Sequence, residues 1–312
     1  MFRPTTAGPD LDLVTSCMPD DPTTAIDAER YRRELAERCY RPEWTWLYQP
    51  DERPLGRALW WAPAHFDQPV ALDCLWVDPS VPDRESVGAG LLDAGHEALI
   101  AAGCERAPDY HIDVATDWRS DPAAVSAVEW RQRAAARAGL TDVVERLSLA
   151  WHRGTPLPAR SERVTFRPAD DAAFLAAFAA VARGSLDVNT RRMLDAVGAD
   201  RQAADDLDFY LSLPGERDWW RLAYVGNELV GLVIPSRSAY DASVSYLGVV
   251  PEARGHGYVD DLLAEITHVH AVAGAERITG TTDTTNAPMA AAFRRGGYEV
   301  TKIRFVMSQP QG

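Results

Sequence analysis

Residues 243–298 read SVSYLGVVPEARGHGYVDDLLAEITHVHAVAGAERITGTTDTTNAPMAAAFRRGGY. Ser243 to Val250 is β-branched and apolar and stops at Pro251, the pattern of a buried strand. Beyond the glycine-bearing turn Arg254-Gly255-His256-Gly257-Tyr258, residues Val259, Leu262, Leu263, Ile266 and Val269 recur at helical spacing. A strand thus enters a helix through a glycine turn. The N–H groups and dipole of such a helix start make a seat for phosphate.

The spacing is not the G-x-G-x-x-G of a dinucleotide site, and no G-K-[ST] follows for a nucleoside triphosphate. It resembles the acyl-CoA loop [QR]-x-x-G-x-[GA] of the GNAT superfamily of N-acyltransferases, which follows a strand ending L-x-V-x-P. Here the strand ends Leu247-Gly248-Val249-Val250-Pro251, and the loop runs from Arg254 to Val259, which stands where Gly or Ala is usual. The second signature of that family is an Asn opening a short helix, an aromatic seven residues on, then Gly and an aromatic. Asn286, Phe293, Gly297 and Tyr298 fit it.

The resemblance implies an α/β fold of two tandem GNAT-like domains, each a mixed central sheet flanked by helices. It also implies an acyl-CoA-dependent N-acetyltransferase. Acetyl-CoA or another acyl-CoA is the cosubstrate, no metal takes part, and the amine of a small molecule is acylated by direct attack. Leu247, Gly248 and Val249 would offer backbone groups to the pantetheine arm. The N–H groups from Arg254 through Gly255, His256, Gly257 and Tyr258 to Val259 would cradle the pyrophosphate. Asn286 and Phe293 would flank the arm near its sulfur. Many members place a Glu where this chain has Ser243, and a Tyr where it has Phe293. Asp283, Asp241 and Tyr246 are therefore the candidate proton carriers, with Tyr258 and Tyr298 as further possible acids. A non-catalytic acyl-CoA-binding or regulatory protein is the alternative.

The 312 residues suggest two domains. A formal net charge of −14 argues against nucleic acid, including an aminoacyl-tRNA donor, because phosphate backbones need a concentrated basic surface. Cys17, Cys39, Cys74 and Cys104 form no C-x-x-C pair and read as free thiols in a reducing compartment. With no apolar leader and no run of about 18 apolar residues, the expectation is a cytoplasmic protein without a membrane span, monomeric or homodimeric.

In order, the first half reads as a strand at 10–16, a helix at 25–38 and strands at 43–49, 55–62 and 70–77. A helix at 87–102, a strand at 110–115, a helix at 122–138 and a closing strand at 142–152 follow. The stretch 153–163, with a Gly and two Pro among polar residues, reads as a linker, giving domains 1–157 and 158–312. The second half repeats the order. It has a strand at 164–166, helix at 171–182 and again between 190 and 208, strands at 219–225 and 229–234 joined by Gly226-Asn227, the stretch quoted above, and a last strand at 299–307. The matched order suggests an internal duplication.

The two copies differ. The first-half loop, Val77 to Gly90, keeps the strand-to-Pro junction and a G-x-G. It carries Glu85 where Gln or Arg is usual, a carboxylate facing a phosphate seat. The first half therefore reads as a degenerate copy, and 158–312 as the acyl-CoA-binding domain. His268 and His270, two apart on a helix, point away from each other and cannot share a metal. Of Trp219 and Trp220, alternation turns one into the core and leaves the other for the cleft or a domain interface.

Overall fold

In the computed structural model, residues 1–17, 21, 23, 26–238 and 240–310 are described. The apolar runs form the strands and the 3.6-periodic runs the helices, with four local exceptions. The elements are β1 (Phe2–Pro4), α1 (Leu11–Ser16), α2 (Ala28–Ala36), β2 (Thr45–Tyr48), β3 (Gly56–Trp61), β4 (Ala71–Val77), α3 (Arg84–Ala101), β5 (Asp109–Val114), α4 (Pro122–Arg137) and β6 (Asp142–His152). There follow β7 (Thr165–Arg167), α5 (Asp171–Ala182), α6 (Val188–Val197), α7 (Ala199–Ser212), β8 (Arg221–Val225), β9 (Glu228–Arg237), β10 (Ala242–Val249), α8 (Tyr258–Val272), β11 (Arg277–Asp283), α9 (Ala287–Arg295) and β12 (Glu299–Ser308).

The first exception is 10–16, expected as a strand and found as α1. Seven residues fit both periods, and Leu11 and Val14 are also one helical turn apart. The carboxylate of Asp10 accepts from Arg3 and Thr6, and its carbonyl takes the Val14 N–H. The first strand is instead Phe2–Pro4, antiparallel to β2. Second, the helix expected at 25–38 starts at Ala28, with the Asp27 carboxylate capping Arg30 N–H at 2.7 Å; Ala25 lies outside the described residues. Third, the helix between 190 and 208 is two helices, broken at Gly198, whose φ of +79° no helix accommodates. Fourth, Trp219 belongs to a 3-10 turn, and the strand begins at Arg221. The Gly226-Asn227 hairpin forms as expected, with Val225 opposite Glu228.

The chain divides into two compact units, Met1–Glu145 with Lys302–Pro310, and Arg146–Thr301. The divisions fall inside β6 and β12 rather than in the stretch 153–163. In the first unit the strand order is β1-β2-β3-β4-β5-β12, and in the second β6-β11-β10-β9-β8-β7. Each unit has one parallel pair, β4 with β5 and β10 with β11. The closing strands are exchanged relative to chain order: β12 pairs antiparallel with β5, and β6 with β11. Alternation marks a segment as a strand without naming the edge it joins; side-chain charge favours the observed choice. Asp113 on β5 receives Arg304 at 2.7 Å and also Lys302. Asp283 on β11 faces Arg146 on β6 at 3.1 Å.

The core of the second unit is built from Phe174 and Phe178 on α5, Leu232 to Ile234 on β9, Leu262, Leu263 and Ile266 on α8, and Phe293 on α9. One core cluster of the first unit gathers Tyr31, Tyr40, Leu47, Leu59 and Trp76. All four cysteines are buried and unpaired. No helix among the described residues is long and apolar enough to cross a membrane.

Candidate active site

The second unit contains a cavity of about 770 Å³. It exists because two parallel strands part. The ladder between β10 and β11 covers Ala242↔Ile278 and Ser243↔Thr279 and stops. β11 continues straight along β6 to Asp283, whereas β10 carries a bulge against β9 between Val244 and Tyr246 that bends it away. From Tyr246 to Val249 the strand is paired to β9 on one side and faces the cavity on the other. Backbone amides on that open edge need partners, which an extended amide-bearing ligand supplies as an added strand does.

One end of the cavity is the turn into α8. Gly255 and Gly257 have φ of +83° and +74°, and Gly257 caps the helix in a left-handed conformation that a side chain would strain. The Arg254 N–H is given to Pro251 and the Asp260 N–H to Gly257. Among the described residues no acceptor is found for the N–H groups of residues 255–259. The acidic first turn is neutralised: Asp260 pairs with Arg295 at 2.7 Å and Asp261 with Arg163 at 2.6 Å. Arg163 also donates to the carbonyl of His256 and lies over the Tyr258 ring. The turn is therefore a set of free donors with its own carboxylates paired, a fit for the phosphates of a nucleotide-like cosubstrate.

Leu247, Gly248, Val249, Arg254, Gly255, Gly257, Tyr258, Val259, Asn286 and Phe293 all line this cavity, as does Tyr246. His256 does not; its side chain is exposed beside Tyr258. Arg254 acts differently from a phosphate ligand. Its guanidinium donates to the carbonyls of Val249 (3.1 Å), Val181 (2.8 Å) and Gly184 (2.7 Å), tying the turn to the end of α5. Asn286 caps α9 by accepting from Met289 N–H, and Phe293 is buried against Tyr298 and beneath Gly280.

Of the candidate proton carriers only Tyr246 reaches the cavity. It packs edge-on to Phe178 at 5.1 Å, and burial pushes its phenol above the usual range, so it stays protonated. Asp241 is held by Arg277 at 2.7 Å near the start of β10, and does not line the cavity. Asp283 is 2 % exposed, accepts from Val188 N–H at 2.7 Å and faces Arg146. It fixes the start of α6, and burial raises its carboxyl despite both partners. Neither carboxylate is placed to take a proton in the cavity. Of the further possible acids, Tyr258 lines the cavity, while the Tyr298 hydroxyl is bound to Thr267 in the core. His268 and His270 bond the carbonyls of Pro158 and Ser243 and point apart. Trp220 is core against Phe174, and Trp219 lies against His270 and away from the cavity.

The missed wall is the helix pair α6–α7. Gln202, Asp206, Phe209 and Tyr210 all face the cavity. Their spacing of four, three and one is a single helical stripe, a signal legible in the sequence once the helix is broken at Gly198. Asp187 caps α6 through Thr190 N–H at 2.8 Å and lies 3.4 Å from Arg146. For Asp206 no hydrogen-bond or ion-pair partner is found among the described residues, and burial together with the Asp187 and Asp205 carboxylates pushes it up to about 6.

The first unit shows the same parting strands, β4 and β5 pairing at Ala71↔Asp109 and Leu72↔Tyr110. Its helix start is closed. The Asp83 carboxylate accepts the Ser86 N–H at 2.9 Å and hydroxyl at 2.6 Å. Gly88 and Gly90 make room for Trp130 and Phe2. The residue matching Arg254 is Arg84, which donates to Val77 O at 3.1 Å; Glu85 turns to Arg133 and Arg137, both at 2.8 Å. The expectation of Glu85 facing a phosphate seat is corrected accordingly.

Residues 189–298 match the model of the Acetyltransferase (GNAT) family. Among solved structures, a GCN5-related N-acetyltransferase from Sphaerobacter thermophilus is similar over 100 % of this chain and 95 % of its own, at 19 % identity and a TM-score of 0.57. The glucosamine N-acetyltransferase region of a fungal multi-domain GH3 β-N-acetylglucosaminidase is similar over 98 % of this chain and 38 % of its own, at 15 % identity and a TM-score of 0.54. A tandem GNAT protein from the clavulanic acid biosynthesis pathway covers 100 % of this chain and 98 % of its own, at 17 % identity and a TM-score of 0.49. Among curated proteins none matches the chain.

Proposed function

We propose, on the match of residues 189–298 to the Acetyltransferase (GNAT) family, that the second unit transfers an acetyl or other short acyl group from acyl-CoA to the amine of a small molecule. The observation that carries the reading is the run of free N–H donors at residues 255–259, set at the end of the open β10 edge. The acyl-CoA supplies an activated thioester. Residues 255–259 hold its phosphates, and Leu247, Gly248 and Val249 bind its amide-bearing arm as an added strand. Asn286 and Phe293 border the arm. A backbone N–H of the β10 edge stabilises the oxyanion formed on attack. The Tyr246 hydroxyl, kept protonated by burial, relays to the departing thiolate the proton that the attacking nitrogen loses, and so ends the step unchanged. The first unit serves structure, because Asp83 already fills its helix start. A non-catalytic acyl-CoA-binding protein is the second reading, favoured by Ser243 and by the buried Phe293, neither of which offers a carboxylate or phenol for proton transfer.

The test is calorimetric titration of acetyl-CoA into wild type, Gly257→Glu and Gly257→Ala. Both substitutions strain the left-handed position, while only Glu adds a carboxylate to the seat. One site in wild type, weakened in Gly257→Ala and abolished in Gly257→Glu, is expected. No binding to wild type overturns the proposal. Turnover with an amine panel then separates the enzyme from the binding protein.

A further inference from the structure

We propose that Asp206 accepts the proton released by the attacking amine, and that the α6–α7 wall around it selects a primary amine borne on an aromatic or apolar skeleton. The assignment rests on the acyltransferase reading of the same cavity and adds to it the proton acceptor and the substrate class.

Three observations converge. Asp206 lines the cavity, and no partner is found for it among the described residues, whereas the nearby carboxylates Asp187, Asp205 and Asp283 each have an arginine. The rings beside it that line the cavity adjoin one another, Phe209 on Tyr210 at 5.1 Å and Tyr210 on Tyr246 at 5.4 Å. Leu186 and Phe209 line the cavity yet remain substantially exposed, so apolar surface extends to its mouth. An organic ammonium satisfies all three, its charge on the carboxylate and its skeleton on the rings.

The charged and titratable groups facing Asp206 are Asp205 and Tyr210 on its own helix, Asp187 at the start of α6 and Tyr246 on β10. Arg146 on β6 acts on Tyr210 and is paired to Asp187. Burial and the two neighbouring carboxylates poise Asp206 at about 6, so it is ionised and available as a base at neutral pH. In the step, the bound ammonium first gives a proton to the Asp206 carboxylate, and the nitrogen lone pair so freed forms the C–N bond while the carbonyl π pair moves to oxygen. Collapse re-forms the carbonyl and the C–S pair leaves on sulfur, which takes the second nitrogen proton, relayed through the Tyr246 hydroxyl. Asp206 returns its proton to solvent.

The experiment is a ¹³C-carboxyl NMR titration of the aspartate-labelled full chain, wild type and Asp206→Asn, with and without 2-phenylethylamine. Acetyl-CoA calorimetry and acetyl transfer to that amine accompany it. The wild type is expected to show one carboxyl titrating near 6 that is absent in Asp206→Asn and moves to lower pH when the ammonium binds. Acetyl-CoA should bind both proteins alike. Transfer should rise through the same midpoint in wild type. In Asp206→Asn it should fall about 10²–10⁴-fold and lose that rise. A resonance indifferent to saturating amine, or transfer by Asp206→Asn within threefold of wild type on the same pH profile, overturns the assignment alone. Failure of wild type to bind acetyl-CoA overturns it together with the acyltransferase reading.

Discussion

Replacing Arg254 by Ala separates a residue that itself binds phosphate from one that holds the proposed phosphate-binding loop in place. The guanidinium makes three charge-assisted hydrogen bonds to carbonyls, at 2.7, 2.8 and 3.1 Å. Two are partly buried and the one to Gly184 is exposed. Such bonds contribute about 1.5–3 kcal/mol each when desolvated and less when water replaces them, so the net loss is roughly 2–4 kcal/mol. For a unit of this size each kcal/mol moves the melting temperature by about 2–4 °C, giving a fall of roughly 5–15 °C. The assay is differential scanning calorimetry of the ligand-free protein at low and high salt, with acetyl-CoA titrated in parallel. Arg254→Ala should melt early without ligand and bind acetyl-CoA more weakly, because α5 and the turn come apart. Arg254→Lys, with one point charge and no fork, should recover only part of the loss. A ligand-free melting temperature within about 1 °C of wild type, with affinity lost in a salt-dependent way, would refute the reasoning. It would mean that Arg254 reaches the phosphates itself.

Two further outcomes follow from buried titratable groups. His96 lies inside the first unit against Trp60, and burial alone depresses it to about 4 from 6.5. The unfolded chain therefore takes up a proton below pH 6.5 that the folded one refuses until pH 4. Urea titrations should lose about 3 kcal/mol between those values, and His96→Leu should flatten that segment of the curve. Asp206, held near 6 by burial and neighbouring carboxylates, is costly when ionised. Asp206→Asn should raise stability at pH 8 by about 1–3 kcal/mol and leave it nearly unchanged at pH 4; equal effects at both would contradict the raised carboxyl.

The second-unit site was largely legible because its parts are contiguous. A strand, a glycine turn and a helix start within 20 residues of one another determine their own geometry through backbone dihedrals and side-chain periodicity. Leu247 to Val249, Arg254, Gly255 and Gly257 to Val259 accordingly meet at one cavity, joined by Asn286 and Phe293. The carboxylates were not legible in the same way. Asp241 and Asp283 sit beside the motif in sequence, yet arginines from other elements, Arg277 and Arg146, claim them. Asp206 lies more than 35 residues upstream of the motif and enters the site because α7 packs against α5 and carries its stripe there.

The sequence by itself determined most of the strands and helices, the glycine turn into α8 and the repeated order of the two halves, since each depends on short-range periodicity and on where glycine and proline permit a turn. Tertiary structure decided which strand closes which sheet, which carboxylate stays unpaired and whether a guanidinium meets ligand or carbonyl. Strand exchange leaves the alternation of β6 and β12 unchanged. It is set by edge hydrogen bonding and by charges brought together from distant positions, Asp113 with Arg304 and Asp283 with Arg146. An ionisable side chain acquires its role from the partners that reach it and the water that does not, and these are properties of the folded chain alone.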